Sequence, residues 1–155
     1  VTLRAWDILF PDARSVPSRA LAGSAVVGAS SAAEAIAGAG LVISAVTAAD
    51  CVAAARTAAP LLEPGAYFLD LNSVSPATKT AAAALVAAGR GRYVEAAVMS
   101  PINPKGCESP MLLGGPHAAT FQALARTDAR EVERFFAAVQ VPRVVVPKLP
   151  GTFST

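Results

Sequence analysis

The sequence predicts an α/β fold in which a doubly wound, mainly parallel sheet is flanked by helices. Two observations carry this expectation. Short apolar runs rich in branched residues alternate with Ala-rich stretches of helical period, the pattern of successive βαβ units. The runs also stop abruptly at a small polar residue with a helix start close behind, as at residues 41–47 (LVISAVT) and 67–73 (YFLDLNS). In open α/β sheets the crevice outside such strand ends collects the ligand, because helix N-termini and free backbone N–H groups converge there.

Taken in order, residues 2–8 (TLRAWDI) have a strand's composition and run into the breaker cluster Pro11-Asp12-Ala13. Residues 13–22 follow as a short helix, weakened or bent at Pro17, because an internal proline removes a backbone donor. Residues 25–27 make a brief strand, and Ser30 or Ser31 caps a helix through Ala39. Glu34 stands three positions after Ser31, the spacing of a capping box. The run 41–46, bounded by Gly40 and a helix start, reads as a parallel strand buried on both faces. A helix over 49–62 ends at Pro64-Gly65, and a second buried strand spans 67–71. Ser75-Pro76 supplies an N-cap and a first-turn proline, after which Ala82, Leu85, Val86 and Gly89 fall on one helical face. A strand over 93–99 leads into a loop, 100–110, too rich in proline for a central element. Residues 111–114 form a short strand. A helix over 128–139 carries Val132, Phe135, Phe136 and Val139 on one stripe, and 143–146 is a last strand.

Composition bounds the function. With 54% hydrophobic and 15% charged residues, the 155-residue chain can bury the core of one domain. A net charge of +2 without a basic run excludes the footprint of a nucleic-acid binder. No apolar run is long enough to span a bilayer, and no signal-peptide layout is present; a soluble cytoplasmic protein is expected. Cys51 and Cys107 have no CxxC partner or nearby His, so two free thiols are expected and neither a zinc site nor a disulfide framework. Beginning at Val1 directly in a strand, the chain reads as a segment of something longer.

Few residues carry chemistry by themselves. Asp7 ends an early strand, where a dinucleotide-binding sheet sets an acid against the ribose 2′-hydroxyl. Such a carboxylate favours NAD and repels the 2′-phosphate of NADP, and no Arg stands immediately after it. Turn initiation uses the same residue in the same place, so both readings stay open. The glycine-rich turn G-x-G-x-x-G is not found: Gly38 and Gly40 precede a strand instead of following one, and read as a helix C-cap. His117, the only histidine, reads as a surface or capping residue at a helix start, and Lys105 and Lys148 as solvated lysines. Trp6, Phe135 and Phe136 are expected to fill the core.

Four motifs then fall in sequence: the run 41–47; Asp70-Leu71-Asn72-Ser73-Val74-Ser75-Pro76; Glu95-Ala96-Ala97-Val98-Met99-Ser100-Pro101; and Met111-Leu112-Leu113-Gly114-Gly115. In this order and spacing they resemble the β-hydroxyacid dehydrogenase superfamily, which includes 3-hydroxyisobutyrate and 6-phosphogluconate dehydrogenases and, more distantly, imine reductases. There the second motif is D-x-S-S-x-x-P and the third D-A-P-V-S-G-G. The resemblance covers nearly the whole chain. It implies a Rossmann-like NAD(P)-binding domain, NAD as cofactor in preference to NADP, and hydride transfer between the nicotinamide and a small hydroxy acid or related carbonyl or imine. It also implies a small-molecule substrate and, for the full-length protein, a homodimer.

By the same resemblance, Val46 and Thr47 cover the nicotinamide half of the cofactor and Ser73 lies on its ribose side. Met99, Ser100 and Asn103 fall in the substrate loop. Met99 stands where the family has Ser, and Ser100 where it has the first Gly, so Ser100 and Asn103 would supply the polar contacts. The family's first strand and glycine-rich turn are expected before Val1, and its catalytic lysine beyond Thr155 in a helical C-terminal domain. Residues 1–155 are then a partial domain in which no catalytic acid can be named. In the order 3-2-1-4-5-6 the missing strand belongs between the strand ending at Asp7 and the strand 41–46. The competing reading is a non-catalytic Rossmann-like remnant or interaction module.

Overall fold

Residues 2–99 and 110–127 are described by the structure, a computed structural model. The expected helix over 128–139, the last strand and most of the proline-rich loop, with Ser100, Asn103, Lys105 and Cys107, lie outside the described residues. Six strands fall into two sheets. β1 (Arg4–Ala5) pairs in parallel with β2 (Val27–Gly28). β3 (Leu41–Ser44), β4 (Tyr67–Asp70), β5 (Arg92–Val98) and β6 (Met111–Gly114) make the second sheet in that order, parallel except for β6. The register sets Ser44 beside Asp70 and Asp70 beside Glu95, so three polar residues line up across the sheet where β3 and β4 end.

The helices follow their caps. α1 (Val16–Ala22) starts at Ser15, whose hydroxyl accepts the Ser18 N–H at 3.2 Å. Pro17 therefore lies in the first turn, where its missing N–H costs nothing, and does not bend the helix as expected. α2 (Ala32–Ile36) is capped by Ser31, which accepts the Glu34 N–H at 3.2 Å. Glu34 completes the box one residue further out than the motif predicts, accepting from the N–H of Ser30 at 2.8 Å and its hydroxyl at 2.6 Å. α2 stops short of Ala39, and Gly38 (φ 69°) turns the chain away. α3 (Cys51–Ala58) has a 3₁₀ turn at each end, at Ala48–Asp50 and Ala59–Leu61. α4 (Pro76–Ala88) starts as expected, with the Ser75 hydroxyl accepting from Thr78 N–H and Pro76 in the first turn. α5 (Ala118–Thr127) begins just after His117, whose carbonyl accepts the Phe121 N–H.

Two apolar layers enclose the second sheet. On one face, Phe68 and Tyr93 stack and pack with Ile36 of α2, Cys51, Ala55 and Ala58 of α3, and Ala82 and Val86 of α4. On the other, Leu69, Val94, Met111 and Tyr67 surround Phe121 of α5. The small first sheet is tied on through α2: the Arg4 guanidinium donates to the carbonyls of Glu34 and Ala37 at 3.2 and 2.9 Å, satisfying the end of that helix.

Two expectations are corrected here. β3 is not buried on both faces: Leu41, Val42 and Ile43 are half-buried, and only Ser44 is fully covered. The reason is position, since among the described strands β3 is the edge of its sheet and does not pair with β1. Trp6 does not fill the core but is 40% exposed, because β1 ends at Ala5 and the chain turns outward there.

Gly89, the C-cap of α4, sits where that helix meets the turn after α3, and a Cβ on it would come within 2.1 Å of the Ala59 carbonyl oxygen. The obstacle is backbone, which cannot rotate away. Gly89→Ala is therefore expected to lose about 1–3 kcal/mol of stability by overpacking, read as a lowered denaturant midpoint; an unchanged midpoint would show that the two helices do not meet this closely.

Candidate functional site

The carboxyl end of β4 holds a buried carboxylate. Asp70 is fully enclosed, and its two oxygens collect five donors from four parts of the chain. Oδ1 accepts from the Asn72 N–H at 2.9 Å, from the Asn72 side-chain amide at 2.7 Å and from Lys79 Nζ at 3.1 Å. Oδ2 accepts from the Tyr93 hydroxyl at 2.6 Å and lies 3.5 Å from the Cys51 thiol. Lys79 also donates to the Asp70 carbonyl at 3.3 Å. Burial alone would raise the Asp70 carboxyl, but the hydrogen bonds from Tyr93, Asn72 and Lys79, with the Lys79 charge, hold it below the usual carboxylate range. Burial, reinforced by Asp70, pushes the Tyr93 hydroxyl and the Cys51 thiol up, so both stay protonated. Cys51 is a free and buried thiol, as expected.

Asn72 turns this cluster towards the neighbouring loop. Its side-chain N–H groups donate to Asp70 Oδ1 and to the Ser44 hydroxyl at 3.0 Å, and its Oδ1 accepts the backbone N–H of Val46 at 2.7 Å. The ionised Asp70 carboxylate can only accept and the Val46 N–H can only donate, so the orientation of the amide between them is fixed. The loops after β3 and β4 are thereby joined across the sheet's carboxyl edge. No buried side-chain nitrogen or oxygen among the described residues lacks a partner.

Above the cluster lie Val46 (41% exposed), Thr47 and Ser73, on these two adjoining loops. The structure thus brings together three of the residues expected to meet a cofactor. The Thr47 hydroxyl donates to Asp50, one turn on. Asp7 does not end a strand as expected: β1 stops at Ala5, and the half-buried Asp7 starts the turn beyond it, its Oδ1 accepting the Leu9 N–H at 2.8 Å and its carbonyl the Phe10 N–H at 3.1 Å. Met99 follows β5, 56% exposed, with its N–H bonded to the Pro110 carbonyl. Sequence reasoning left out Lys79, Tyr93 and the part played by Asn72. A signal existed for Lys79: it stands three and seven positions before Ala82 and Val86, on the buried stripe of α4, where a lysine needs a carboxylate opposite.

Two exposed loops at the carboxyl edge of parallel strands, backed by a polar cluster with all its groups engaged, define a nucleotide-binding α/β domain. Residues 4–125 match the NAD binding domain of 6-phosphogluconate dehydrogenase, and the chain belongs to that family. Among curated proteins none matches it. Solved structures do. A conserved hypothetical protein from Sinorhizobium meliloti 1021 is 35% identical over 97% of this chain and 47% of its own, with a TM-score of 0.70. The 3-hydroxyisobutyrate dehydrogenase of Mycobacterium tuberculosis, solved with L-serine, is 18% identical over 94% of this chain and 45% of its own, at a TM-score of 0.69. An imine reductase from Myxococcus stipitatus, in complex with NADP+, is 19% identical over 83% and 43%, at 0.63. The last two share the fold. The chain spans just under half the length of each of these structures. None of its described helices is long and apolar enough to cross a membrane, and no described His, Cys, Asp and Glu group could hold a metal ion.

The two partners of the buried ion pair are not equivalent. Without Lys79 the Asp70 carboxylate keeps Tyr93 and two donors from Asn72, whereas without the carboxylate Lys79 keeps one backbone carbonyl. Asp70→Asn is expected to cost about 3–5 kcal/mol, the range for a buried charge left unpaired, and Lys79→Met less. Because the folded Asp70 value is depressed, its contribution is complete above the unfolded value of about 3.9 and is lost as pH falls through the lower folded one. The melting temperature should drop in that acid window, and less so in Asp70→Asn. Equal losses in the two variants would show that the cluster does not share its donors in this way.

Proposed function

We propose that this chain is the larger part of the cofactor-binding domain of an NAD(P)-dependent oxidoreductase that moves a hydride between the nicotinamide and a small hydroxy acid, or a related carbonyl or imine. The observation that carries the reading is the joined pair of loops at the carboxyl edge, with Val46, Thr47 and Ser73 outward and their backing closed by Asn72. The residues fit a nicotinamide nucleotide. The buried polar groups are all engaged with each other, so the surface left to a ligand is made by these exposed residues and backbone. Val46 and Thr47 cover the nicotinamide, Ser73 meets its ribose, and Met99, Ser100 and Asn103 begin the substrate loop. A bound nicotinamide supplies or accepts the hydride; this chain's residues hold and orient it.

NAD is the preferred cofactor in this reading. On that reading the carboxylate of Asp7, one oxygen of which accepts from Leu9 N–H, meets the ribose 2′-hydroxyl, where a 2′-phosphate would meet like charge. In this reading the domain is partial: by resemblance a further strand belongs between β1 and β3, and the acid–base group and the dimer contacts belong to the rest of the protein. Titrating the full-length protein with NADH and NADPH, then comparing kcat/KM, tests the reading. NADH is expected to bind, with the preference in favour of NAD. A preference for NADP of about tenfold or more, or about 1.4 kcal/mol, would overturn the assignment of Asp7. Binding of neither nucleotide would favour the interaction-module reading instead.

A further inference from the structure

We propose that Asn72 is the positioning residue of the cofactor loop, and that the Asp70 cluster serves to aim it. The inference rests on the functional reading above, which sets Val46 and Thr47 against the nicotinamide half. Val46 lies two residues beyond the end of β3, past the reach of the ladder, whose last bond runs from Leu71 N–H to the Ser44 carbonyl at 3.0 Å. The Val46 N–H is held instead by Asn72 Oδ1 at 2.7 Å. An exposed loop residue is thus fixed by a side chain that is itself buried.

The aim of that side chain is over-determined. Its amide nitrogen is drawn by Asp70 Oδ1 at 2.7 Å and the Ser44 hydroxyl at 3.0 Å, leaving the oxygen one direction, towards Val46. Asp70 is in turn gripped by Tyr93 and Lys79, so neither carboxylate nor amide can rotate without unpairing a buried group. A surface asparagine making the same bond would have to give up rotamer freedom each time the ligand bound. Here that freedom is lost on folding, and the loop meets the cofactor already set, which lowers the cost of binding. Ser44 touches Asn72 without touching the loop's N–H, so its loss removes one of the two restraints on the amide and leaves the acceptor in place.

The test compares the full-length protein with its Asn72→Ala and Ser44→Ala variants, measuring Kd for NADH and for ADP, which shares only the half of the cofactor remote from this loop, together with amide exchange at Val46. Asn72→Ala is expected to weaken NADH about tenfold, equivalent to about 1.4 kcal/mol, to leave ADP within about twofold, and to speed Val46 exchange. Ser44→Ala, which removes one of the two groups drawing the amide nitrogen, is expected to shift NADH and Val46 exchange in the same direction but by less than Asn72→Ala, and to leave ADP within about twofold. Should Asn72→Ala fail to fold, Asn72→Ser, which keeps a hydroxyl near Asp70 on a shorter side chain, is expected to shift NADH and Val46 in the same direction. Equal weakening of NADH and ADP, or unchanged Val46 exchange, would reduce Asn72 to a structural role and overturn the inference. Wild-type protein that binds neither NADH nor NADPH would overturn the functional reading, an outcome seen before any variant is made.

Discussion

One buried carboxylate organises the carboxyl end of the larger sheet. An aspartate taken out of water loses several kcal/mol of solvation unless its oxygens are met. At Asp70 they are met by α3 through Cys51, by α4 through Lys79, by β5 through Tyr93 and by its own following loop through Asn72. Each donor has to be within hydrogen-bond reach of the same two atoms, so the group fixes how the helices sit on the sheet at its carboxyl end. The apolar layer of Phe68, Tyr93, Ala55, Ala82 and Val86 supplies the bulk of the burial. It does not by itself select one arrangement of small side chains over a nearby one, since Ala on Ala packs much the same after a small slide.

The worth of such a cluster lies in direction more than in energy. Replacing a buried ion pair with apolar groups of similar volume is often neutral or stabilising, and nothing about holding α4 to β4 demands charge. An acceptor with fixed direction, however, is what Asn72 needs: an apolar neighbour would leave its amide free to turn end for end. The chain of cause therefore runs from Asp70 to Asn72 to Val46, from the core to a loop that faces solvent, and each link is a bond between a donor and an acceptor that cannot exchange roles.

What could be read from the sequence was local. Ser75 and Pro76 announce the start of α4, the apolar run at Tyr67 announces β4, and the glycines after Leu113 announce the end of β6, because each signal acts within a turn or a strand of itself. The fold class and the family followed from the order of these pieces. Val46, Thr47 and Ser73 were placed on the expected cofactor loops by resemblance, and the structure joins these two loops through the bond from Val46 N–H to Asn72. What failed was what depends on distant neighbours. Leu41–Ser44 has the composition of a central strand, yet its burial is decided by whether another strand lies beside it. Trp6 is apolar and large, yet nothing local says that β1 ends one residue before it. Asp70 was visible as the first residue of a motif, and Lys79 was left out although it stands on the buried stripe of α4; that the two meet across the helix–sheet interface required the tertiary fold.

The exposure of β3 and the role of Asn72 are two sides of one arrangement. The described strands run β2-β1 in one sheet and β3-β4-β5-β6 in the other, the order of a doubly wound sheet interrupted between β1 and β3. On its β4 side β3 is held by a full parallel register from Leu41 to Ser44; on the other side no described strand pairs with it. A strand held along one edge only can twist and fray at its end, and the residues that follow it inherit that freedom. Beyond Ser44 the neighbouring chain no longer runs as a strand, so no backbone carbonyl is in register to receive the Val46 N–H. Only a side chain from the loop after β4 can reach across, and it must come from a residue anchored deeper than the loop it holds. Asn72, two residues past the buried Asp70 and bonded to it twice, meets that requirement. The geometry of the loop after β3 is thus set from the β4 side, by one amide, whatever lies along the other edge of β3.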